Sequence, residues 1–294
     1  MHLPLILIAT FFGQSLSHSW NEQLTVIENG RFSGRNGYPR GYVARTDRGF
    51  RDPMMVHLLP PSTSNRTRID STDLLCAYTQ RTKNQTATYP RLQASPGSYI
   101  AIKYLENGHV TLPQPGKQSG AGIVYVFGTL SPEEKETITN VLQWTADGKG
   151  GDGRGKLLAA QNFDDGRCYQ LNNESISLSR QKEFPNLITR TGEVHEQWCE
   201  NDVIIPSDIP LGSTYTIYWV WDWPTVTEDQ AQTRRKDEYY TTCSDIDVVA
   251  NPAAGPPNPL DQQDPQTAAV ANFQQRAACG QNLRNGKNLF LHTQ

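Results

Sequence analysis

The chain has 294 residues, with 27 Lys and Arg against 30 Asp and Glu and a formal net charge of −3. That length holds one large domain or a domain with a tail, and a mildly acidic chain with interspersed signs is a poor binder of nucleic acid. Beyond the first residues no stretch is apolar and long enough to cross a membrane, so neither nucleic acid nor a bilayer is an expected partner, and a monomer is expected.

Leu3 to Phe12 is an apolar core too short to span a bilayer. Ser15-Leu-Ser17 follows, with small residues at the −3 and −1 positions of a cleavage site. Residues 1–17 therefore read as a secretory signal, although its first residues lack the usual Lys or Arg, and His18 becomes the first residue of a secreted, extracellular protein. An N-terminal histidine offers a metal two nitrogens, its α-amine and an imidazole nitrogen, and a second histidine would complete a three-nitrogen set suited to copper(II). By position alone the simpler account is that His18 is merely the residue after the cut.

Residues 18–250 read as the folded domain. Trp20 to Ile27 opens a series of strands. Ser98-Tyr-Ile-Ala-Ile-Lys-Tyr104 places Ile100, Ile102 and Tyr104 on one face, and Gly122-Ile-Val-Tyr-Val-Phe-Gly128 is short, aromatic and β-branched. Ser131-Pro-Glu-Glu has the form of a helix start with a short apolar stripe behind it. Thr214 to Trp223 is apolar on both faces toward its end, as a central strand is, and Tyr239 to Val249 closes the series. Gly, Pro, Asn and Asp clusters separate these runs. The expected fold is all-β, an immunoglobulin-like antiparallel β-sandwich with long loops and a few short helices. From Asn251 the chain turns Pro-, Gln- and Ala-rich, so 251–294 reads as a linker or disordered tail, with a short helix over Thr267 to Ala278.

Sequons at Asn65, Asn84 and Asn173 fit a secreted glycoprotein. The cysteines are Cys76, Cys168, Cys199, Cys243 and Cys279. Four form two disulfides, three pairings are open, and Cys76–Cys243 with Cys168–Cys199 is the one expected, leaving Cys279 odd. No CxxC pair is present to build a thiolate zinc site.

Glu106-Asn-Gly-His109 puts a histidine just after a strand, at the rim of the sandwich, where a turn can aim its imidazole at the N-terminus. His57, in the apolar run Met54-Met-Val-His-Leu-Leu59, is expected to be packed or surface-paired. His195, in a polar stretch beside Glu196, is expected to be exposed. In Glu238-Tyr-Tyr-Thr-Thr-Cys243 the strand period puts Glu238 and Tyr240 on one core-directed face with Ile246 and Val248. Tyr240 there could be a weak axial ligand and Glu238 a neighbouring acid, or Tyr240 could be an ordinary buried tyrosine.

These elements together resemble the lytic polysaccharide monooxygenases, secreted β-sandwich enzymes with a copper histidine brace. The features are a signal ending at His18, the strand Ser95 to Tyr104 leading to His109, the segment Ile205-Pro-Ser-Asp-Ile-Pro-Leu-Gly-Ser-Thr-Tyr215 running into an aromatic strand, and the Glu238-x-Tyr240-x-x-Cys243 pattern. The chain is similar to a fungal secreted family of that type carrying Gly-Tyr-Pro-Arg-Gly-Tyr42, Phe-Asp-Asp-Gly-Arg-Cys168 and Tyr-Trp-Val-Trp-Asp-Trp-Pro224, over about His18 to Ala250. The resemblance implies His18, His109 and Tyr240 as copper ligands and Glu238 with Tyr240 as the residues handling oxygen species. It further implies a polysaccharide (cellulose, hemicellulose or chitin) and an electron donor as partners.

Other motifs are decoys. Gly148-Lys-Gly-Gly-Asp-Gly153 fits GxGxxG but lacks a βαβ context and reads as a turn. Asp164-Asp165 reads as a solvated turn, since adjacent acids on an extended chain point apart. Three functions remain open: a copper monooxygenase acting on polysaccharide, a copper-binding protein that does not oxidise glycans, and a metal-free interaction module. Intact-mass analysis of the secreted protein should give a chain beginning at His18. A start elsewhere would remove the N-terminal chelate.

Overall fold

A computed structural model describes residues 18–29, 31–113, 119–187, 192–223 and 236–255. The segment read as a signal, the helix expected over 267–278 and Cys279 lie outside them. The strands in order are β1 (Gln23–Glu28), β2 (Arg31–Gly37), β3 (Leu58–Leu59), β4 (Leu92–Ala94), β5 (Tyr99–Tyr104), β6 (Ile123–Thr129), β7 (Gly155–Asn162), β8 (Asn186–Leu187), β9 (Val194–His195), β10 (Cys199–Ile204), β11 (Thr214–Asp222) and β12 (Tyr239–Val248). One sheet runs β10-β5-β1-β2, the other β3-β12-β11-β6-β7 with β4 also on β12. The long pairings are antiparallel, and the β4–β12 contact is parallel. The expected antiparallel sandwich is the fold.

Strand alternation builds the core. Leu24 and Val26 of β1, Ile100, Ile102 and Tyr104 of β5, and Val203 of β10 face Val124 and Val126 of β6, Ile217, Trp219 and Trp221 of β11, and Tyr240, Ile246 and Val248 of β12. The opposite face of the second sheet is buried as well. Tyr125, Phe127, Tyr218, Val220, Tyr239 and Cys243 pack there under Ile138, Val141, Leu142 and Trp144. Two covered faces are why β11 reads as apolar on both sides, and β11 lies between β12 and β6.

Both expected disulfides are present, Cys76–Cys243 and Cys168–Cys199. The asparagines of all three sequons are exposed. Three expectations change. The first strand begins at Gln23, and residues 18–22 run ahead of it as an extended lead. No helix starts at Ser131: turns continue to Thr137, and a single helical turn, α1 (Ile138–Val141), follows. Its buried side chains begin only at Ile138, whereas residues 132–135 bring charge and nothing apolar to pack. A second helix, α2 (Ser175–Glu183), buries only Ser177, so no apolar stripe announces it.

Loop 38–42 is held by a buried ion pair. Both Arg40 and Asp245 are out of solvent, with Nε to Oδ2 at 2.8 Å and Nη2 to Oδ1 at 2.7 Å, and Thr216 donates its hydroxyl to Asp245 Oδ1 at 2.7 Å. Removing one partner strands the other charge. Asp245→Ala should therefore destabilise the fold by about 3–5 kcal/mol in denaturant unfolding; an unchanged midpoint would mean that water reaches Arg40.

Candidate metal centre

The turn that carries His109 is specified by two residues. Asn107 and Gly108 both have positive φ, 45° and 81°, and the His109 amide donates to the Glu106 carbonyl at 2.9 Å. This is the hairpin-type turn for which Asn-Gly is the preferred pair. A Cβ at position 108 would meet Leu112 Cδ1 at 2.8 Å, a second reason for glycine. The Glu106 carboxylate fixes the chain beyond the turn: it accepts from the Val110 amide at 2.7 Å, from the Thr111 hydroxyl, and from the Gln170 amide at 3.0 Å. The loop is thereby tied to the segment ahead of α2.

His109 is only 1% exposed, so it sits beneath the rim and not on it. Its ring is edge-on to Trp221 at 4.5 Å and to Trp223 at 5.0 Å between centroids. These indoles lie at the end of the aromatic run in β11 and cover the imidazole, which is the physical reason for its burial. The His109 Nδ1 stands 3.1 Å from the Glu106 carbonyl oxygen. With a proton on Nδ1 donated there, Nε2 carries the ring's lone pair, the arrangement that metal-binding histidines use.

The lead strand brings His18 to this loop. Asn107 donates its side-chain amide to the His18 carbonyl, and the Ser19 hydroxyl donates to the Leu105 carbonyl. On the other side, Asn21 takes the Thr242 hydroxyl oxygen at 3.2 Å through its amide and the Ser244 hydroxyl oxygen at 3.0 Å through its side chain. Trp20 is buried with Tyr42 and Met55, and the Arg45 guanidinium lies 3.8 Å over its ring. The His18 side chain is 18% exposed, and its ring centroid is 6.5 Å from that of Tyr240.

Tyr240 faces inward as the strand period requires, is 6% exposed, and packs on Trp221 at 5.1 Å. Burial, and secondarily the Glu238 carboxylate, pushes its hydroxyl well above the ordinary tyrosine range, so it stays protonated. Glu238 pairs with Lys236 at 3.6 Å, and its carbonyl receives the Trp223 amide at 2.9 Å. His18 thus lies near Tyr240 and His109 against Trp221, with Trp221 and Tyr240 packed on each other between them and Glu238 close enough to act on Tyr240 by charge.

A metal-ligating group fits the donors present. His18 Nδ1 is buried and has no hydrogen-bond partner, an orphaned polar atom that a folded chain normally satisfies. It is also the ring nitrogen that can close a six-membered chelate with its own residue's amine. His57 is half-buried, in keeping with a packed residue: its Nε2 is engaged 2.9 Å from the Leu74 carbonyl, and burial lowers its pKa.

His195 is half-buried in β9 and not exposed, because that strand pairs with β8. Asp165 is not solvated either. Its Oδ1 accepts from the Arg167 and Cys168 amides at 2.8 Å and its Oδ2 from the Glu200 amide at 3.0 Å, whereas Asp164 pairs with Arg180 at 2.8 Å. Among the described residues Asp165, Cys168 and Cys199 form the one tight cluster of His, Cys and acidic side chains. Its cysteines are joined as a disulfide and offer no thiolate. Residues 148–153 form a turn, as expected.

Sequence reasoning missed Trp221 and Trp223 as the walls of the His109 pocket, and Asn107 as the tie to His18. It also missed Asp52, whose Oδ2 is 3.5 Å from His18 Nδ1. The Asn-Gly pair was the readable signal for the tie. Asp52 had none, since it lies in a loop that only the fold brings to the N-terminus.

No curated protein matches the chain. Among solved structures it is similar to Cel61B of Hypocrea jecorina, a glycoside hydrolase family 61 member. That match has 15% identity and a TM-score of 0.34, and covers 84% of this chain and 90% of the other. It is also similar to a CBM33 polysaccharide monooxygenase, at 12% identity and a TM-score of 0.28 over 63% of this chain and 76% of the other. By its match to the family model over residues 15–278, the chain belongs to the family described as a domain of unknown function, DUF7492.

Proposed function

We propose that the protein is a secreted copper-dependent monooxygenase that cleaves polysaccharide oxidatively, using an electron donor. The observation that carries this reading is the double tie between the His18 lead and the His109 loop, made by Asn107 and Ser19, beside a buried Tyr240. Two histidines far apart in sequence are held at one end of the sandwich, one of them with a solvent-hidden, unsatisfied nitrogen.

His18 would contribute its α-amine and Nδ1, His109 its Nε2, and Tyr240 its hydroxyl oxygen. Bound copper supplies one-electron chemistry, the reductive activation of oxygen or peroxide that oxidises a carbon at the glycosidic link. The Glu106 carbonyl holds the His109 ring and its tautomer. Trp221 and Trp223 exclude water from the imidazole, and Tyr240 keeps its proton beside them. Glu238, just ahead of β12 and paired with Lys236, is the acid available to hold or pass a proton near Tyr240.

A second reading, a brace that binds copper without oxidising glycans, is favoured by the burial of His109 and Tyr240. A polysaccharide chain must reach the metal, and covered ligands suit retention better than turnover.

Copper titration of the natively processed protein, followed by electron paramagnetic resonance, should give one tight axial copper(II) site with nitrogen hyperfine structure. His109→Ala should lose or alter it. Oxidised oligosaccharides from cellulose, hemicellulose or chitin would then identify the enzyme, and tight copper without such products the binder. Weak copper binding, unchanged by His109→Ala, would leave the metal-free module.

A further inference from the structure

Residues 38–56 contribute a carboxylate that the brace does not include. Asp52 opens a short 3-10 turn, Asp52–Met54, whose shape is fixed by the Met55 and Val56 amides, each donating to the Asp52 carbonyl at 2.9 Å. Met55 behind it is fully buried against Trp20 and Tyr42, so the turn is anchored to the lead strand two residues from His18. The carboxylate is oriented by Arg45. That guanidinium is held by Glu22 at 2.7 Å and by the face of Trp20, and its Nη1 lies 3.8 Å from Asp52 Oδ1. The other oxygen, Oδ2, is left facing His18 Nδ1 at 3.5 Å.

That separation decides between two chemistries. A charged imidazolium–carboxylate hydrogen bond closes to about 2.7–2.9 Å, and His18 Nδ1 makes no hydrogen bond at all. Two atoms each about 2.0–2.2 Å from one divalent ion stand roughly 2.8–4.4 Å apart, from right-angled to opposed. The observed spacing falls within the range for two ligands of one ion and is longer than a closed hydrogen bond. The Asp52 side chain is 36% exposed, so its carboxylate borders solvent while His18 Nδ1 is covered.

Resting on the copper reading above, we propose that Asp52 is a further metal ligand, giving the ion bound by His18 a carboxylate oxygen beside the nitrogen set. A hard anionic oxygen favours copper(II) over copper(I), so Asp52 sets how firmly the oxidised ion is held. It also balances part of the ion's charge at a place where Arg45 is already neutralised by Glu22.

The test uses the natively processed full chain and copper(II) itself as the probe. Asp52→Asn, which keeps the side chain's shape, should weaken copper(II) by about tenfold or more in competition with a chelator. It should also shift the paramagnetic spectrum toward a more nitrogen-dominated site, and Asp52→Glu should restore part of both. In wild-type protein carrying 13C-labelled aspartate carboxyls, electron–nuclear double resonance should detect a carboxyl carbon coupled to the copper, a readout that does not depend on the variants folding. An uncoupled carboxyl and an Asp52→Asn spectrum identical to wild type would overturn the assignment. With the site still lost in His109→Ala, that result would leave the brace intact and Asp52 a plain ion-pair partner. If the wild-type chain fails to bind copper tightly, the brace reading itself falls, and this proposal with it.

Discussion

The structure hinges on residues 18–22 being pinned to both sheets at once. The Glu22 amide donates to the Lys103 carbonyl on β5 at 2.8 Å, Ser19 reaches the loop after that strand, and Asn21 reaches β12 on the opposite sheet. Ordering one residue costs about 1–2 kcal/mol of chain entropy, while a hydrogen bond returns only about 1 kcal/mol net. Hydrogen bonds alone would leave such a lead frayed. Trp20 makes the difference, since it is fully buried, packs on Met55 and Tyr42, and carries the Arg45 guanidinium on its face. His18 is held because the residue two positions on is a tryptophan in a closed pocket.

Beside His18 the charges form an alternating row: Asp52, Arg45, Glu22. Glu22 is out of solvent, and burial raises its pKa despite the opposing pull of Arg45. Its carboxylate accepts from Arg45 at 2.7 Å and from the Tyr42 hydroxyl at 2.9 Å, so the buried charge has partners on both oxygens. Breaking such a pair strands a charge, whereas keeping it adds little net stability. What it contributes is position. Arg45 is held from below by Glu22, with the Asp52 carboxylate beside it.

Much of the sandwich was legible because its strands obey simple periods. β5 shows alternation on its core face, β11 shows apolar residues on both faces, and Asn107-Gly108 announces its turn. The failures share one cause. The Ser131 helix was judged from a local capping pattern and the exposed His195 and solvated Asp165 from local polarity, and none of these local signals carries the packing that decides the outcome. Asp165 can be buried because it accepts from three backbone amides, and His195 is half-covered because β9 pairs with β8. The burial of His109 is of the same kind, for Trp221 and Trp223 are more than a hundred residues away in sequence. Asp52 could not be read at all, since no local pattern distinguishes a loop aspartate that meets the N-terminus from one that meets water.

On the reading that His18 begins the mature chain, the same pinned lead makes maturation a chemical event at the site. While residues 1–17 are attached, the nitrogen of His18 is an amide, whose lone pair is delocalised into the carbonyl and is a poor donor to a metal at neutral pH. Cleavage converts it to an amine without any need to move the ring, because Asn107, Ser19, Trp20 and Asn21 already hold the segment. Nδ1 is then one member of a chelate whose other member has just been made. A preorganised site of this sort loses little conformational entropy when an ion enters, since that cost was met in folding. On that reading Asp52 would add charge compensation from the loop packed on the same lead.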